Sequence, residues 1–109
     1  MPAAPRLDAV FHALGDPTRR AILAQLVSGE RSTGVIARDF PLSRPAISKH
    51  LGVLHRAGIV TRRQVGRRQL YRVDPERLGD AQRWLEQTRA MWQVNLARLK
   101  RHLEEDHER

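Results

Sequence analysis

Cysteine is absent from this sequence of 109 residues, and aromatic residues make up only 5% of it. Without cysteine the chain has no disulfide bond, thiolate metal centre, iron–sulfur cluster or cysteine nucleophile. No stretch approaches the roughly 18 uncharged apolar residues of a membrane span, and residues 1–10 contain no apolar core of a signal peptide. These absences predict a cytoplasmic protein with no membrane association and no redox chemistry.

Patterns that carry catalysis are missing as well. The sequence has no glycine-rich phosphate-binding loop, no Ser-His-acid order around a nucleophile turn and no pair of carboxylates suited to a cleft. Its five histidines are scattered over predicted helices. We therefore expect no enzymatic activity, no catalytic residue, no cofactor and no metal site.

The length fits one small domain, residues 1–109, because domains typically need roughly 100 to 200 residues. Hydrophobic residues make up 40% of the chain and charged residues 29%, which is enough for a folded core. A chain this short leaves much of its apolar surface exposed. A core shared between two copies would cover that surface, so we expect a homodimer.

The positive charge is concentrated in about a third of the chain. The net charge is +8, and residues 38–72 hold nine basic residues against one acidic residue, whereas the rest holds eleven of each sign. A segment with so few acidic residues is typical of a surface that meets a polyanion. Nucleic acid is the expected partner, and a merely solvated arginine-rich surface is the alternative.

Short helices are predicted in the first half of the chain. The first follows the helical spacing of Leu7, Val10, Phe11 and Leu14. Asp16-Pro17 has the pattern of an N-cap and the first residue of a second helix, and Ser32 or Thr33 caps a third. A fourth helix over residues 43–56 begins at Ser43 and has a polar, basic outer face. The third and fourth helices joined by a tight turn predict a helix-turn-helix.

The apolar period shortens towards two between residues 59 and 73, which predicts two strands reversing at Val65-Gly66. Five arginines lie on this hairpin, namely Arg62, Arg63, Arg67, Arg68 and Arg72. A basic hairpin after a helix-turn-helix is a wing. The predicted fold is mainly α with a small β-hairpin: a winged helix-turn-helix with five helices and a two-stranded wing.

The last helix is expected over residues 75–105, about 40 Å long at 1.5 Å per residue. Leu78, Leu85, Trp92 and Leu99 recur every seven residues. This stripe is too long for the DNA-binding head, residues 7–73, to cover, and it predicts a dimerisation helix. The expected interface consists of Leu7, Val10, Phe11, Leu85, Met91, Trp92, Leu96 and Leu99.

The fourth helix is the predicted recognition helix, because base edges in the major groove are contacted by the outer face of a helix's first turns. Arg44 is the first choice for reading guanine and Lys49 for a phosphate, while Ser43 acts as a cap, alone or together with a phosphate contact. The wing arginines are expected on the phosphate backbone or in the minor groove; the alternative is a strand edge kept charged against pairing. The expected DNA contacts are Ser43, Arg44, Pro45, Ser48, Lys49, Arg62, Arg63, Arg67 and Arg68.

Four segments carry a family resemblance: residues 11–23 (FHALGDPTRRAIL), 43–51 (SRPAISKHL), 54–60 (LHRAGIV) and 66–68 (GRR). In order and spacing this sequence resembles the ArsR-type winged-helix transcriptional repressors of bacteria and archaea. The resemblance implies a homodimer that pairs through its first and last helices and blocks transcription initiation at an inverted-repeat operator. It also implies recognition roles for Ser43, Arg44, Ser48, Lys49 and His50, although we expect His50 to pack between helices.

The sequence departs from the metal-sensing members of that family. Some of them use cysteines, and others place Asp-x-His on the last helix about ten residues before His-x-x-His or His-x-x-Glu. His102 and Glu105 match the second half, but Arg89, Ala90 and Met91 stand upstream and do not bind divalent cations. We therefore expect a signal other than a metal.

The release signal and one other function remain open. A small apolar effector could bind at the dimer interface beside Trp84 and Trp92, although packing between helices is the commoner explanation of such residues. Without an effector, the protein would be regulated by its own abundance. His12 and His55 are expected on helix surfaces. The alternative function is a winged-helix module that contacts protein or RNA, which the basic wing disfavours.

Overall fold

The computed structural model describes residues 3–108. In this range the chain forms a winged helix-turn-helix, as the sequence predicts, and Met1, Pro2 and Arg109 of the predicted domain lie outside it. The elements are α1 (Ala3–Leu14), α2 (Pro17–Leu26), β1 (Arg31–Ser32), α3 (Thr33–Ala37), α4 (Arg44–Arg56), β2 (Val60–Val65), β3 (Arg68–Val73) and α5 (Pro75–Glu108).

Side-chain caps set where three of the helices begin. A carboxylate oxygen of Asp16 accepts the Arg19 amide at 3.1 Å at the start of α2. Ser32 and Ser43 do the same at α3 and α4, where each hydroxyl accepts the amide three residues later at 3.3 and 3.2 Å. These bonds satisfy amides that have no partner within the helix. The capping prediction is confirmed at all three positions, whereas α5 runs three residues beyond its predicted end.

The core lies where the first four helices meet the sheet. Among the described residues its fully buried side chains are Val10, Ala13, Ile22, Ile36, Ile47, Leu51, Leu54, Ile59 and Val60. Removing one of the larger ones would cost about 2 to 5 kcal/mol. Val10 is only 1% exposed, so it belongs to the core of its own subunit and offers no surface to a second copy. This differs from the interface expected from the sequence, which included it.

The sheet has three antiparallel strands in the order β1-β3-β2. The hairpin turns at Gly66, whose φ of +60° is a conformation that glycine adopts readily. Strand β1 was not predicted, because two residues show no periodicity. It pairs Arg31 with Tyr71 and Ser32 with Leu70, and Ser32 then caps α3. The wing is thereby joined directly to the helix-turn-helix.

Helix α5 packs on the head at its beginning and then leaves it. Ala81 is buried, and the Trp84 ring meets Phe11 of α1 edge to face, with centroids 5.4 Å apart. Beyond this contact the helix projects, and the molecule reaches 69 Å along its longest axis. In the part of the chain that the structure describes, no helix is both long and apolar enough to cross a membrane.

Candidate nucleic-acid interface

An open groove of about 570 Å³ separates the start of α4 from the wing. Four guanidinium groups line it, those of Arg44, Arg62, Arg67 and Arg68, together with Pro45 and Ser48. These six residues were all predicted to contact DNA. No acidic side chain of the described residues lines this groove, so its potential favours an anion. We call it the α4–wing groove.

Strand pairing brings Arg62 into the groove. Arg62 lies opposite Tyr71 in the sheet, and cross-strand partners leave the sheet on the same face. Tyr71 is buried and donates its hydroxyl proton to Gln69 Oε1 at 3.1 Å. Tyr71 therefore anchors the wing to the core, and Arg62 beside it faces α4.

Arg44 is the first residue of α4, and its guanidinium lies against Gly34 of α3. A Cβ atom at position 34 would overlap the end of the Arg44 side chain. Glycine at this position therefore leaves room for the residue predicted to read a base. Sequence reasoning missed Gly34, because a contact between two helices leaves no signal in local periodicity.

Ser43 and Lys49 are chain neighbours of the groove residues Arg44 and Ser48, but they do not line the α4–wing groove. The hydroxyl of Ser43 accepts the Ala46 amide, which confirms its capping role. Lys49 is exposed on α4, where its ammonium is free to reach a phosphate beside the groove. The structure thus separates the arginines that line the groove from two residues that do not.

Arg63 lies on the opposite face of the wing from Arg62, contrary to the expectation that it contacts DNA together with Arg62, Arg67 and Arg68. Its Nη2 and Nε donate to Glu30 at 2.7 and 2.9 Å. This hydrogen-bonded pair raises the pKa of Arg63 and lowers the pKa of Glu30. Arg63 and Arg72 line a separate groove with Glu30, because residues one apart in a strand point to opposite faces.

The conspicuous segment around Asp16 organises the helices behind the site. Arg19 donates to the carbonyls of His12 and Ala13 at 3.1 and 2.6 Å, and Arg20 donates to that of Leu14 at 2.7 Å. These bonds satisfy the last carbonyls of α1. The amide of Arg19 lowers the pKa of Asp16. One short segment thus closes α1 and starts α2.

His50 lies at the junction of α2 and α4. Its Nδ1 is 3.4 Å from Arg19 Nη1 and 3.9 Å from Asp16 Oδ2. The side chain is 23% exposed and packs between helices, as expected. His12 is exposed on α1, while partial burial, with Arg62 and Arg56 adding repulsion, lowers the pKa of His55.

The apolar stripe of α5 faces solvent in the single subunit. Four of the residues predicted for the dimer interface lie on it and are each more than half exposed, namely Leu85, Trp92, Leu96 and Leu99. Met91, also predicted for the interface, is 53% exposed but lies about 100° around the helix from Trp92. Leu7 and Phe11 of α1 pack at the edge of the core and are partly buried. Apolar side chains exposed in a row on one helix are typical of an association surface.

The chain resembles known bacterial regulators over its head. A helix-turn-helix domain family matches residues 14–63. The transcriptional repressor SdpR of Bacillus subtilis is 37% identical over 79 residues, which are 72% of this chain and 88% of SdpR. The HTH-type transcriptional regulator Rv2034 of Mycobacterium tuberculosis is 48% identical over 68 residues, 62% of this chain and 64% of its own length, slightly under two thirds.

Solved structures agree over more of the chain. An ArsR-like transcriptional regulator from Rhodococcus sp. RHA1 has 38% identity and a TM-score of 0.75, covering 93% of this chain and 95% of its own. The homodimeric winged helix-turn-helix DNA-binding domain of Mb0332 from Mycobacterium bovis has 29% identity and a TM-score of 0.63, with 84% and 82% covered. These relatives are named as transcriptional regulators, a repressor and a DNA-binding domain. Fold, helix-turn-helix and relatives together show that this chain belongs to the ArsR-type family of winged helix-turn-helix transcriptional regulators.

Proposed function

We propose that the protein is a sequence-specific transcriptional repressor that acts in the cytoplasm as a homodimer bound to an inverted-repeat operator. The observation that carries this proposal is the α4–wing groove, where four guanidinium groups converge beside the first turn of α4. On one side of the groove lies α4, a helix that fits into the major groove of DNA. On the other side lies the wing, a hairpin that can contact the neighbouring phosphate backbone.

Base reading is assigned to α4 and backbone contact to the wing. Arg44 can donate two hydrogen bonds to a guanine, with Pro45 and Ser48 near the base edges. Arg67 and Arg68 at the turn, with Arg62 behind them, would meet phosphates or the minor groove. Lys49 adds a phosphate contact, and Ser43 mainly caps α4. Specificity therefore depends on Arg44 and affinity on the wing.

The dimer is proposed to form through the exposed stripe of α5, helped by Leu7 and Phe11 of α1. The chain then divides into a DNA-binding head, residues 7–73, and a dimerisation helix, residues 75–105. The similar Mb0332 domain, which is homodimeric, supports a dimer, and the exposed stripe of α5 supports its location. Two recognition helices about 34 Å apart would enter successive major grooves, and occupancy of the promoter would block transcription initiation.

The release signal is proposed to be something other than a metal ion. A small apolar effector would bind on α5 beside Trp84 and Trp92, where a shallow groove also includes Leu85. Because both indoles would contact it, quenching of tryptophan fluorescence by metabolites would detect it. Repression set by the abundance of the protein itself predicts no quenching by any metabolite.

The experiment that tests the function is a comparison of affinities for different nucleic acids. Purified protein is titrated with selected genomic duplexes, random duplex and single strands at several salt concentrations. A repressor binds its selected duplex at least about a thousandfold more tightly than random duplex. Equal affinity for duplex and single strands would instead favour a module that contacts RNA or protein.

A further inference from the structure

The pair of Arg63 and Glu30 has the geometry of a strong ion pair. Two separate nitrogens of one guanidinium donate to the two oxygens of one carboxylate, at 2.7 and 2.9 Å. Such bidentate, charge-assisted hydrogen bonds are shorter and stronger than hydrogen bonds between neutral groups. The Glu30 side chain is 25% exposed and the Arg63 side chain 64%, so the pair lies at the surface, where its two parallel hydrogen bonds hold the side chains in one geometry.

The bridge spans the whole sheet. Strand β3 lies between β1 and β2, with Leu70 paired to both Arg63 and Ser32. Glu30 directly precedes β1, so the ion pair joins the two outer strands over the central one. Ser32, two residues further on, caps α3. The bridge therefore connects the wing to the entry of the helix-turn-helix.

The charge of Arg63 is neutralised where it lies. Glu30 sits between Arg63 and Arg72, and both guanidinium groups favour its ionised form. Arg63 also faces away from the α4–wing groove, in which Arg62, Arg67 and Arg68 gather. An arginine that is paired and turned away from the groove adds little to the potential that a phosphate would meet.

We propose that Arg63 is a positioning residue: through Glu30 it fixes the angle of the wing to α4, and so aligns Arg62, Arg67 and Arg68 with DNA without touching DNA. This role replaces the phosphate contact expected from the sequence. The inference rests on the proposed function, since the angle of the wing matters to binding only if the wing meets DNA.

Substitution of Glu30 gives results of opposite sign for the two roles. If Arg63 bound phosphate, Glu30→Gln would free a guanidinium and remove a negative charge, and duplex affinity would rise. If the pair positions the wing, the same change loosens the hairpin and affinity falls. We expect Glu30→Gln and Arg63→Ala each to weaken binding by roughly three- to tenfold in a dimer that contains two such pairs.

The salt dependence of binding provides a second measurement. A less rigid wing does not change the slope of log K against log salt, because the number of phosphate contacts stays the same. The slope of log K against log salt stays at its wild-type value in Arg63→Ala if no phosphate contact is lost. Loss of one phosphate contact per subunit would make the slope less steep by about 1.8. Asp106→Asn, which lies beyond the proposed dimerisation helix and about 45 Å along α5 from the wing, removes the same charge as Glu30→Gln and should leave affinity unchanged.

A double-mutant cycle tests the pair directly. If Arg63 acts only through Glu30, adding Glu30→Gln to Arg63→Ala costs no further affinity, so we expect the double variant to bind as tightly as Arg63→Ala alone. Tighter binding by Glu30→Gln, a reduced slope in Arg63→Ala, or a folded double variant that binds clearly more weakly than Arg63→Ala would overturn the proposal. Wild-type protein that fails to prefer duplex DNA would overturn the proposed function instead, and so the two failures are distinguishable.

Discussion

Arg44 and Lys49 lie five residues apart on the recognition helix, and the account gives them different tasks. Arg44 borders the α4–wing groove at the first turn, where a base edge is within reach, whereas Lys49 does not line it. A guanidinium that donates two hydrogen bonds distinguishes guanine from other bases by about 1 to 3 kcal/mol. A lone ammonium on a phosphate contributes attraction without reading sequence.

We therefore predict that Arg44→Ala weakens binding to the preferred operator and relaxes the base preference at one position in each half-site. Arg44→Lys should not restore that preference, because an ammonium lacks the paired donors of a guanidinium. Competition binding with operators changed one base pair at a time measures the effect.

The matched control for this prediction is Arg83→Ala. It removes the same charge from α5, where Arg83 is exposed and pairs with Asp80, and we expect no change in base preference. Uniform weakening by Arg44→Ala across all operator variants would show that Arg44 contacts only phosphate.

The charge of Asp16 should make a pH-dependent contribution to the free energy of unfolding. The amide of Arg19 holds the pKa of Asp16 below its ordinary value of 3.8, so the folded state favours the ionised form. That contribution is complete above the unfolded pKa and is lost as the pH falls through the lower folded pKa. Asp16→Asn keeps an oxygen to cap α2 but carries no charge.

We predict that wild type has a higher thermal midpoint than Asp16→Asn near neutral pH, and that the difference shrinks below about pH 4. Thermal unfolding of both proteins followed by circular dichroism across the acid range measures it. A difference that stays constant down to the lowest pH would mean that the charge of Asp16 does not stabilise the fold.

Sequence reasoning succeeded at these residues where the signal was local. The caps at Asp16, Ser32 and Ser43 followed from residue type and the three-residue reach of a side chain to an amide. The partner of Arg63 could not be found in this way, because Glu30 lies 33 residues away. Only the pairing of three strands brings the two side chains together.

At the scale of the elements, α5 is the helix whose exposed stripe needs explaining. At 3.6 residues per turn, Leu96 lies close to Leu85 and Trp92 around the helix, whereas Val94 points to the opposite side. Leu96 and Val94 are 58% and 52% exposed. The two positions therefore differ mainly in the face that they occupy.

We predict that Leu96→Glu converts the dimer to monomers and weakens operator binding, because it places a charge in the shared apolar stripe. Val94→Glu introduces the same residue on the other face and should leave the dimer intact. Sedimentation equilibrium measures both. A dimer that tolerates Leu96→Glu but not Val94→Glu would show that the interface lies on the face of Val94, contrary to this prediction.

The elements also show where periodicity is informative. Helices α2 and α4 and the hairpin have enough apolar positions to reveal their period, and they were predicted close to their observed bounds. Helix α1 begins four residues before the predicted Leu7, and the short α3 was indicated by its cap more than by its period. Strand β1 has two residues and was not predicted. Alternation within β2 places Arg62 and Arg63 on opposite faces, whereas both were expected to contact DNA because basic residues cluster in residues 38–72. Which arginines line the groove therefore depends on the face of the strand that each occupies more than on how closely basic residues cluster in the sequence.

For the whole molecule, the charge distribution sets how binding responds to salt. A dimer that contacts about eight phosphates should show a slope of log K against log salt near −7. Replacing Arg67 and Arg68 by Ala removes up to four of these contacts from the dimer and should make the slope less steep by about 3.6. Binding isotherms at several ionic strengths measure both values, and an unchanged slope would place the two arginines away from the backbone.

Two α4–wing grooves, related by the twofold axis of the proposed dimer, are expected to bind one DNA duplex. Selection of bound fragments from genomic DNA by the purified protein, followed by footprinting, tests it most directly. We predict that the protein protects an inverted repeat. The centres of its two half-sites should be about 10 base pairs apart, which is one helical turn, or a multiple of that distance apart. A single unpaired half-site, or bound fragments without a shared sequence, would contradict it.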